Sequence, residues 1–289
     1  MRYNQYIRRH QVVKQFSRLD MKNVLAGRKI QISCKDLNEH FKTKYGSISD
    51  PRMGWGPKLR FHFGYFTPDD FYEIILNKLV TNDTNLLDVG CGRNLFSDNK
   101  FLEKTLKDRS KFIAGVDPSD NIDDNKIIDE GYKCSLEELS INRKFNLITM
   151  KMVMEHVDDP EKVCETLFQL TEHNGVVVVY TVNKFSPSSI IASITPIKFH
   201  HFVKKILWNA EERDTFPTVY KINTKNKLKY YMELAGFLED DFFLIDDCRS
   251  FQKWKFANYF ELLFWRFFKK INITYPEFCL IGIYRKNLE

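Results

Sequence analysis

Apolar positions fall into two regimes along the chain. Between residues 85 and 182 they gather into short, nearly unbroken runs: NLLDVG at 85–90, KFIAGVD at 111–117, FNLITM at 145–150 and GVVVVYTV at 175–182. Short runs without alternation are what strands buried on both faces require. A weaker run near 132–136 predicts a further strand. Between the runs, apolar residues recur at helical spacing. The clearest case is 160–173, with Pro160 at its start, Val163, Leu167 and Leu170 on one face, and Gly175 just beyond its end. Strand and helix signals alternating in this way imply right-handed βαβ crossovers and a parallel sheet.

The flanks read differently. Residues 1–66 carry no strand pattern and predict helices and loops, with Tyr6, Val12, Val13, Phe16 and Leu19 on one helical stripe. A helix then starts with Thr67 as N-cap, Pro68 at the first position, and Asp69 and Asp70 near its positive end. After residue 182, Pro187, Pro196 and Pro217 and two aromatic clusters mark 185–220 as an insertion or lid. A helix follows from near Thr224 to Gly236. Strands are expected at 242–247 (FFLIDD) and 279–286 (CLIGIYRK), with the aromatic helix FANYFELLFWRFFKKI between them. The chain thus divides into a helical arm, 1–66, and an α/β domain, 67–289.

Composition narrows the class. A hydrophobic fraction of 43% suits a sizeable core. No run of about 18 apolar residues occurs, and no apolar segment follows the charged N-terminus, so a cytoplasmic protein without a membrane span or secretory leader is expected. The six cysteines are scattered without a CxxC pair, which predicts reduced thiols and no metal. The net charge of +6 is uneven: residues 1–33 carry eight Lys or Arg and one acid, so the remainder is close to neutral. A basic arm can meet nucleic acid, an anionic membrane or an anionic substrate, and a solvated helix face is the plainer reading. Two segments, 194–208 (ITPIKFHHFVKKILW) and 260–271 (FELLFWRFFKKI), mix aromatics with lysines. Such helices either make a peripheral membrane contact or pack an apolar stripe on the sheet.

The strongest local chemistry is LLDVGCGRN, 86–94, where a buried strand enters a glycine turn. Gly90 and Gly92 permit backbone conformations closed to other residues and let a ligand approach the main chain. Asp88 sits at the carboxyl end of the strand, where such sheets bind ligands. The next strand ends in GVDPSDNI, placing Asp117 where an acid can hold two ribose hydroxyls. A dinucleotide fingerprint needs a third glycine, and Arg93, Asn94 and Leu95 follow Gly92 instead. An acid two residues before the first glycine suits a ligand with a cationic amino group.

Taken together, DVGCG, GVDPS, FNLITMKMVMEHVDDPEKV and the glycine before VVVVYTVN resemble the class I S-adenosylmethionine-dependent methyltransferase family in order and spacing. The resemblance covers residues 65–185 and a final strand pair at 237–286. It implies a doubly wound, mostly parallel seven-stranded sheet with its last strand antiparallel. It implies S-adenosylmethionine as cofactor, with Asp88, Gly90, Cys91 and Gly92 at its methionine part, Asp117 at its ribose, and Pro118 among the cofactor contacts. Ser135 stands where an Asp often lies near adenine, beside the backbone of Leu136, and Lys151 joins the cofactor contacts. The segment RMGWGPKLRFHFGYFTPDD, 52–70, is similar to a stretch ahead of the core in some bacterial small-molecule methyltransferases, which would turn Tyr65 toward the cofactor. Trp55, Asn183, His200 and His201 are the candidate substrate contacts.

Methyl transfer needs the acceptor in line with the S–methyl bond, water excluded and, for a hydroxyl acceptor, a base. Positioning alone can lower such a barrier by about 7–11 kcal/mol. His156, in MEHVDDP after the fourth run, is the candidate base, and a loop-orienting role is its alternative. The expected activity is O-methylation of a small molecule, sugar or lipid-linked intermediate. One rival is an RNA methyltransferase using residues 1–33, against which stand the near-neutral body and MKMVME in place of an NPPY-like loop. A second is a non-catalytic cofactor-binding protein, against which stands the intact set of Asp88, Gly90, Gly92 and Asp117.

Overall fold

The computed structural model describes residues 30–187, 189–190, 218–273, 275 and 278–287. The stripe on residues 6–19, the 194–208 segment, and His200 and His201 lie outside the described residues.

The elements are α1 (Cys34–Tyr45), α2 (Trp55–Phe63), α3 (Pro68–Leu79), β1 (Asn85–Val89), α4 (Lys100–Arg109), β2 (Phe112–Val116), β3 (Glu130–Tyr132), β4 (Phe145–Lys151), α5 (Pro160–Leu170), β5 (Thr171–Val182), α6 (Lys225–Leu234), β6 (Phe237–Asp246), α7 (Lys255–Lys270) and β7 (Phe278–Lys286). The strands form a seven-stranded sheet in the order β3-β2-β1-β4-β5-β7-β6. All pairings are parallel except those of β7, which is antiparallel to both β5 and β6. β6 therefore runs in the same direction as β1, β4 and β5.

Successive strand residues point to opposite layers. Leu86, Ile113, Leu147 and Val178 pack with Leu37 and Phe41 of α1, with α3, and with Leu102 and Leu106 of α4. Leu87, Val89, Ile148 and Val177 pack with Val163 and Leu167 of α5 and Leu228 and Met232 of α6. Both faces are covered, so the runs need no polar alternation. Each fully buried Leu, Ile or Val stabilises by about 1.5–3 kcal/mol in transfer terms.

The start of α3 is as expected. The Thr67 hydroxyl accepts from the Asp70 N–H, the Asp70 carboxylate accepts from the Thr67 N–H, and Pro68 opens the helix. Four boundaries move. The third strand lies at 130–132, because Ser135 and Glu138 form a reciprocal cap that starts a 3-10 turn at Leu136 instead. α5 ends at Leu170, where Thr171 is already paired with Phe145 in the sheet. Gly175 consequently lies inside β5, after Asn174 in a left-handed conformation (φ +58°) that shifts the register. β6 begins at Phe237, earlier than FFLIDD suggests, because β7 is long enough to pair with it throughout. The aromatic helix spans Lys255–Lys270 and buries only one side against the body.

Candidate active site

β1 delivers Asp88 to the carboxyl edge of the sheet, where its side chain is 6% exposed. The Thr149 hydroxyl of neighbouring β4 donates to it at 2.7 Å. Burial pushes the Asp88 carboxyl up to about 7, against the Thr149 hydrogen bond and the charge of Lys151.

The turn after β1 requires glycine for two separate reasons. Gly90 has φ +72°, and a Cβ there would lie 2.4 Å from a methyl of Val153. Gly92 has φ +43°, yet a Cβ would meet nothing, so its backbone borders open space. Cys91 between them is buried with its sulfur against Gly115, and burial pushes its thiol up. Asn125 clamps the turn by donating to the carbonyls of Gly92 (3.0 Å) and Cys91 (3.4 Å).

Asp117 follows β2, one strand over, and is 7% exposed. Its carboxylate accepts from the Gly92 N–H (2.9 Å), the Ser119 N–H (2.8 Å) and the Ser119 hydroxyl (2.5 Å). Pro118 beside it is exposed. Ser135 is held by Glu138, and Leu136 is buried.

A second cluster at this edge was only half legible in the sequence. Lys151, closing β4, donates to Asp69 of α3 at 2.7 Å. Asp69 also pairs with Arg249, which forms a fork to Asp247 at 2.7 and 2.6 Å. Burial pushes Asp69 up, but Arg249 and Lys151 outweigh it and hold the carboxyl at about 2. Lys151 also lies 5.9 and 5.8 Å from the ring centres of Tyr72 and Tyr180. Asp247 and Arg249 were missed. The available signal was Asp247 closing the FFLIDD run and Arg249 two residues on, opposite charges at the carboxyl end of a strand.

His156 lies half-buried on a 3-10 turn, Met154–His156, after β4. The turn is anchored by its neighbour Glu155, whose carboxylate accepts from the Thr181 hydroxyl at 2.8 Å and whose carbonyl accepts from the N–H groups of Val219 and Tyr220. Two expected ligand contacts are committed inside the protein. Tyr65 is 2% exposed, its hydroxyl donating to the Asp246 carbonyl (3.2 Å) and accepting from the Cys248 N–H (2.8 Å), its ring edge-on to Trp265. It is a strut between the α2–α3 turn and the end of β6. Asn183 is buried with its side-chain oxygen accepting from the Phe185 N–H, a turn-forming bond. Trp55 opens α2 and is half-buried. The cleft lined by Ile30, Lys78, Asn146, Asp240 and Arg285 opens at the amino end of β4, away from this site.

A methyltransferase domain family matches residues 62–238, more than half of the chain. The chain belongs to this family, of the class I, S-adenosylmethionine-dependent type. Among curated relatives, the ubiquinone biosynthesis O-methyltransferase of Coxiella burnetii is 25% identical over 121 residues, 39% of this chain and 49% of that protein. The enzyme of the same name from Rickettsia canadensis is 21% identical over 211 residues, 68% of this chain and 83% of that protein. The chain thus spans about half the length of the Coxiella relatives it matches. Among solved structures, the N-methyltransferase NodS from Bradyrhizobium japonicum aligns with a TM-score of 0.47 at 11% identity, covering 76% of this chain and 97% of its own. A geranyl diphosphate C-methyltransferase from Streptomyces coelicolor aligns with a TM-score of 0.48 at 14% identity, covering 83% and 85%.

Proposed function

We propose that this protein is an enzyme that transfers the methyl group of S-adenosylmethionine to an oxygen of a small-molecule, sugar or lipid-linked acceptor. The observation that carries the reading is the pair of buried carboxylates, Asp88 and Asp117, at the ends of adjacent parallel strands around the Gly90–Gly92 turn. The relatives named O-methyltransferases support oxygen as the accepting atom.

The residues fit the cofactor chemically. A buried acid with few donors is completed by a cationic ammonium, so Asp88 receives the methionine end. Asp117 has three donors, and a carboxylate offers about four acceptor positions. Ribose hydroxyls therefore join or replace the Ser119 hydroxyl there, beside the exposed Pro118. Open space at Gly92 admits the ligand to the backbone, and the Ser135–Leu136 turn borders the adenine. When bound, S-adenosylmethionine supplies an electrophilic methyl group on a sulfonium. His156 accepts the proton of the acceptor hydroxyl, held by the turn that Glu155 anchors.

Calorimetry with S-adenosylhomocysteine tests the reading, with an expected affinity in the micromolar range, roughly −8 kcal/mol. Asp117→Ala should weaken it by about 1.5–3 kcal/mol. Tight binding of NADH with none of S-adenosylhomocysteine would end the proposal. His156→Gln should leave that affinity intact and lower turnover by about 10²–10⁴. A loss below about tenfold would leave catalysis to positioning.

A further inference from the structure

The face of α7 turned away from the body has a composition that folding of this domain does not explain. Phe256, Phe260, Leu263, Phe264, Phe267 and Ile271 recur every three to four residues and are 80, 56, 44, 60, 56 and 45% exposed. They form one stripe along a helix of about 24 Å. The opposite face is fully accounted for. Leu262 and Trp265 join the small core with Phe63, Tyr65 and Cys248. Asn258 donates to the Cys248 carbonyl at 3.2 Å, and the Trp265 indole donates to Asp246 at 3.1 Å.

Charge says what the stripe fits. From residue 251 to 273 the chain carries Lys253, Lys255, Arg266, Lys269 and Lys270 against one acid, Glu261. Glu261 points inward, accepting from Asn258 (2.8 Å) and from the N–H groups of Ser250 and Phe251. Lys255 and Lys270 are exposed at the two ends of the stripe. An aromatic stripe with cations at its ends and no acid on its face is the pattern of an interfacial helix on an anionic bilayer. A symmetric contact between two copies would set cations against cations with no exposed α7 acid to pair them. Contiguous exposed apolar surface of this kind is uncommon unless it serves an interaction.

We propose that α7 docks the protein on an anionic lipid bilayer, with the six apolar side chains in the interface and Lys255 and Lys270 on the headgroups. Asp246 and Cys248, which hold α7, lie at the carboxyl end of β6, and β6 runs parallel to β1 and β4. The docked face is therefore on the edge of the sheet that carries Asp88. An acceptor drawn from the bilayer follows, a consequence that rests on the function proposed above, whereas docking itself does not.

Co-sedimentation of the full chain with vesicles tests the proposal without any turnover. One set is phosphatidylcholine alone, and the other contains roughly 30% phosphatidylglycerol. The protein should bind the anionic set, and less so as salt rises. Phe264→Glu with Phe267→Glu should lower partitioning at least about tenfold with an unchanged melting temperature, since both side chains are exposed. Lys255→Glu with Lys270→Glu should lower binding to the anionic set at least about tenfold. Equal binding to both sets, or no effect of either pair, overturns the proposal. So does a dimer in light scattering that the Phe264→Glu pair dissociates. A sharp fall in melting temperature for that pair also overturns it, because the stripe would then be covered by the chain itself. Loss of S-adenosylhomocysteine binding with vesicle binding retained would fault the proposed enzyme and leave docking intact.

Discussion

Asp69 and Asp70 are consecutive residues in the first turn of α3, and they serve two different regions. Asp70 turns inward. It caps Thr67, pairs with Lys44 at 3.0 Å, lies 3.6 Å from His40 and has a side chain 4% exposed. Glu73 completes that cluster, holding Lys44 (2.8 Å), His40 (3.0 Å) and Asn99 (2.6 Å), so it ties α1 and α3 to the segment that follows the glycine turn. Asp69 turns toward the carboxyl edge, pairing with Lys151 and Arg249, with a side chain 20% exposed. Both clusters balance acids with cations, but water reaches only one of them. The inner cluster is therefore a lock: its charges cannot be solvated if a partner leaves. The outer cluster is partly exposed, so water can solvate its charges if a partner leaves.

Three measurements would break or sharpen this contrast. The largest effect is expected from Lys44→Met, which leaves the buried Asp70 and Glu73 with His40 as the cation of their cluster. Chemical denaturation should show a loss of about 3–5 kcal/mol, the cost of stranding a buried charge. A loss below about 1 kcal/mol would remove the distinction between the clusters.

The second effect concerns pH. Asp70 is held below the usual carboxylate range, since His40 and Lys44 outweigh the burial that pushes it up. Its contribution is present above its unfolded pKa, near 4, and is lost as pH falls. Asp88 is moved the other way, to about 7. The folded protein then binds the extra proton from about pH 4 to 7, so stability falls as pH rises through that window. Asp88→Asn should gain on the wild type as pH rises from about 4 to 7, by about 1.4 kcal/mol for each step of one in pH, and the gain should level off above 7. Affinity for S-adenosylhomocysteine should fall about tenfold for each step of one in pH below 7, as Asp88 takes up a proton that its cationic partner must displace. A stability difference between the two proteins that stays constant from about pH 4 to 7 would contradict the burial argument.

The smallest effect is expected from Arg249→Met. Asp69 keeps Lys151, and the loop is partly exposed, so a loss of about 1–2 kcal/mol is expected, between surface and buried pairs. Arg249→Lys should recover little of it, because the fork to Asp247 needs a guanidinium. A loss as large as that of Lys44→Met would make the two regions equivalent.

The parallel core was legible because Leu86 and Leu87 enter opposite layers and both must be apolar. The glycine turn was legible because its backbone admits few other residues. The edges of strands were less so. Ser135 and Glu138 capped a turn where a strand was expected, and Asn174 bent β5 where a helix end was expected. Local hydrogen bonds decided both, and hydropathy does not register them.

Sequence by itself determined the alternation of elements, the identity of the acids at the carboxyl ends of β1 and β2, and the family. It determined these because burial on two faces and positive φ restrict residue type position by position. Only the tertiary structure decided which of Asp69 and Asp70 meets water, that the Tyr65 hydroxyl is spent 181 residues away on Asp246, and which side of α7 is left bare. Those outcomes depend on partners brought together across the sheet. No spacing along the chain specifies such partners, because each is chosen by what the packed layers leave within reach.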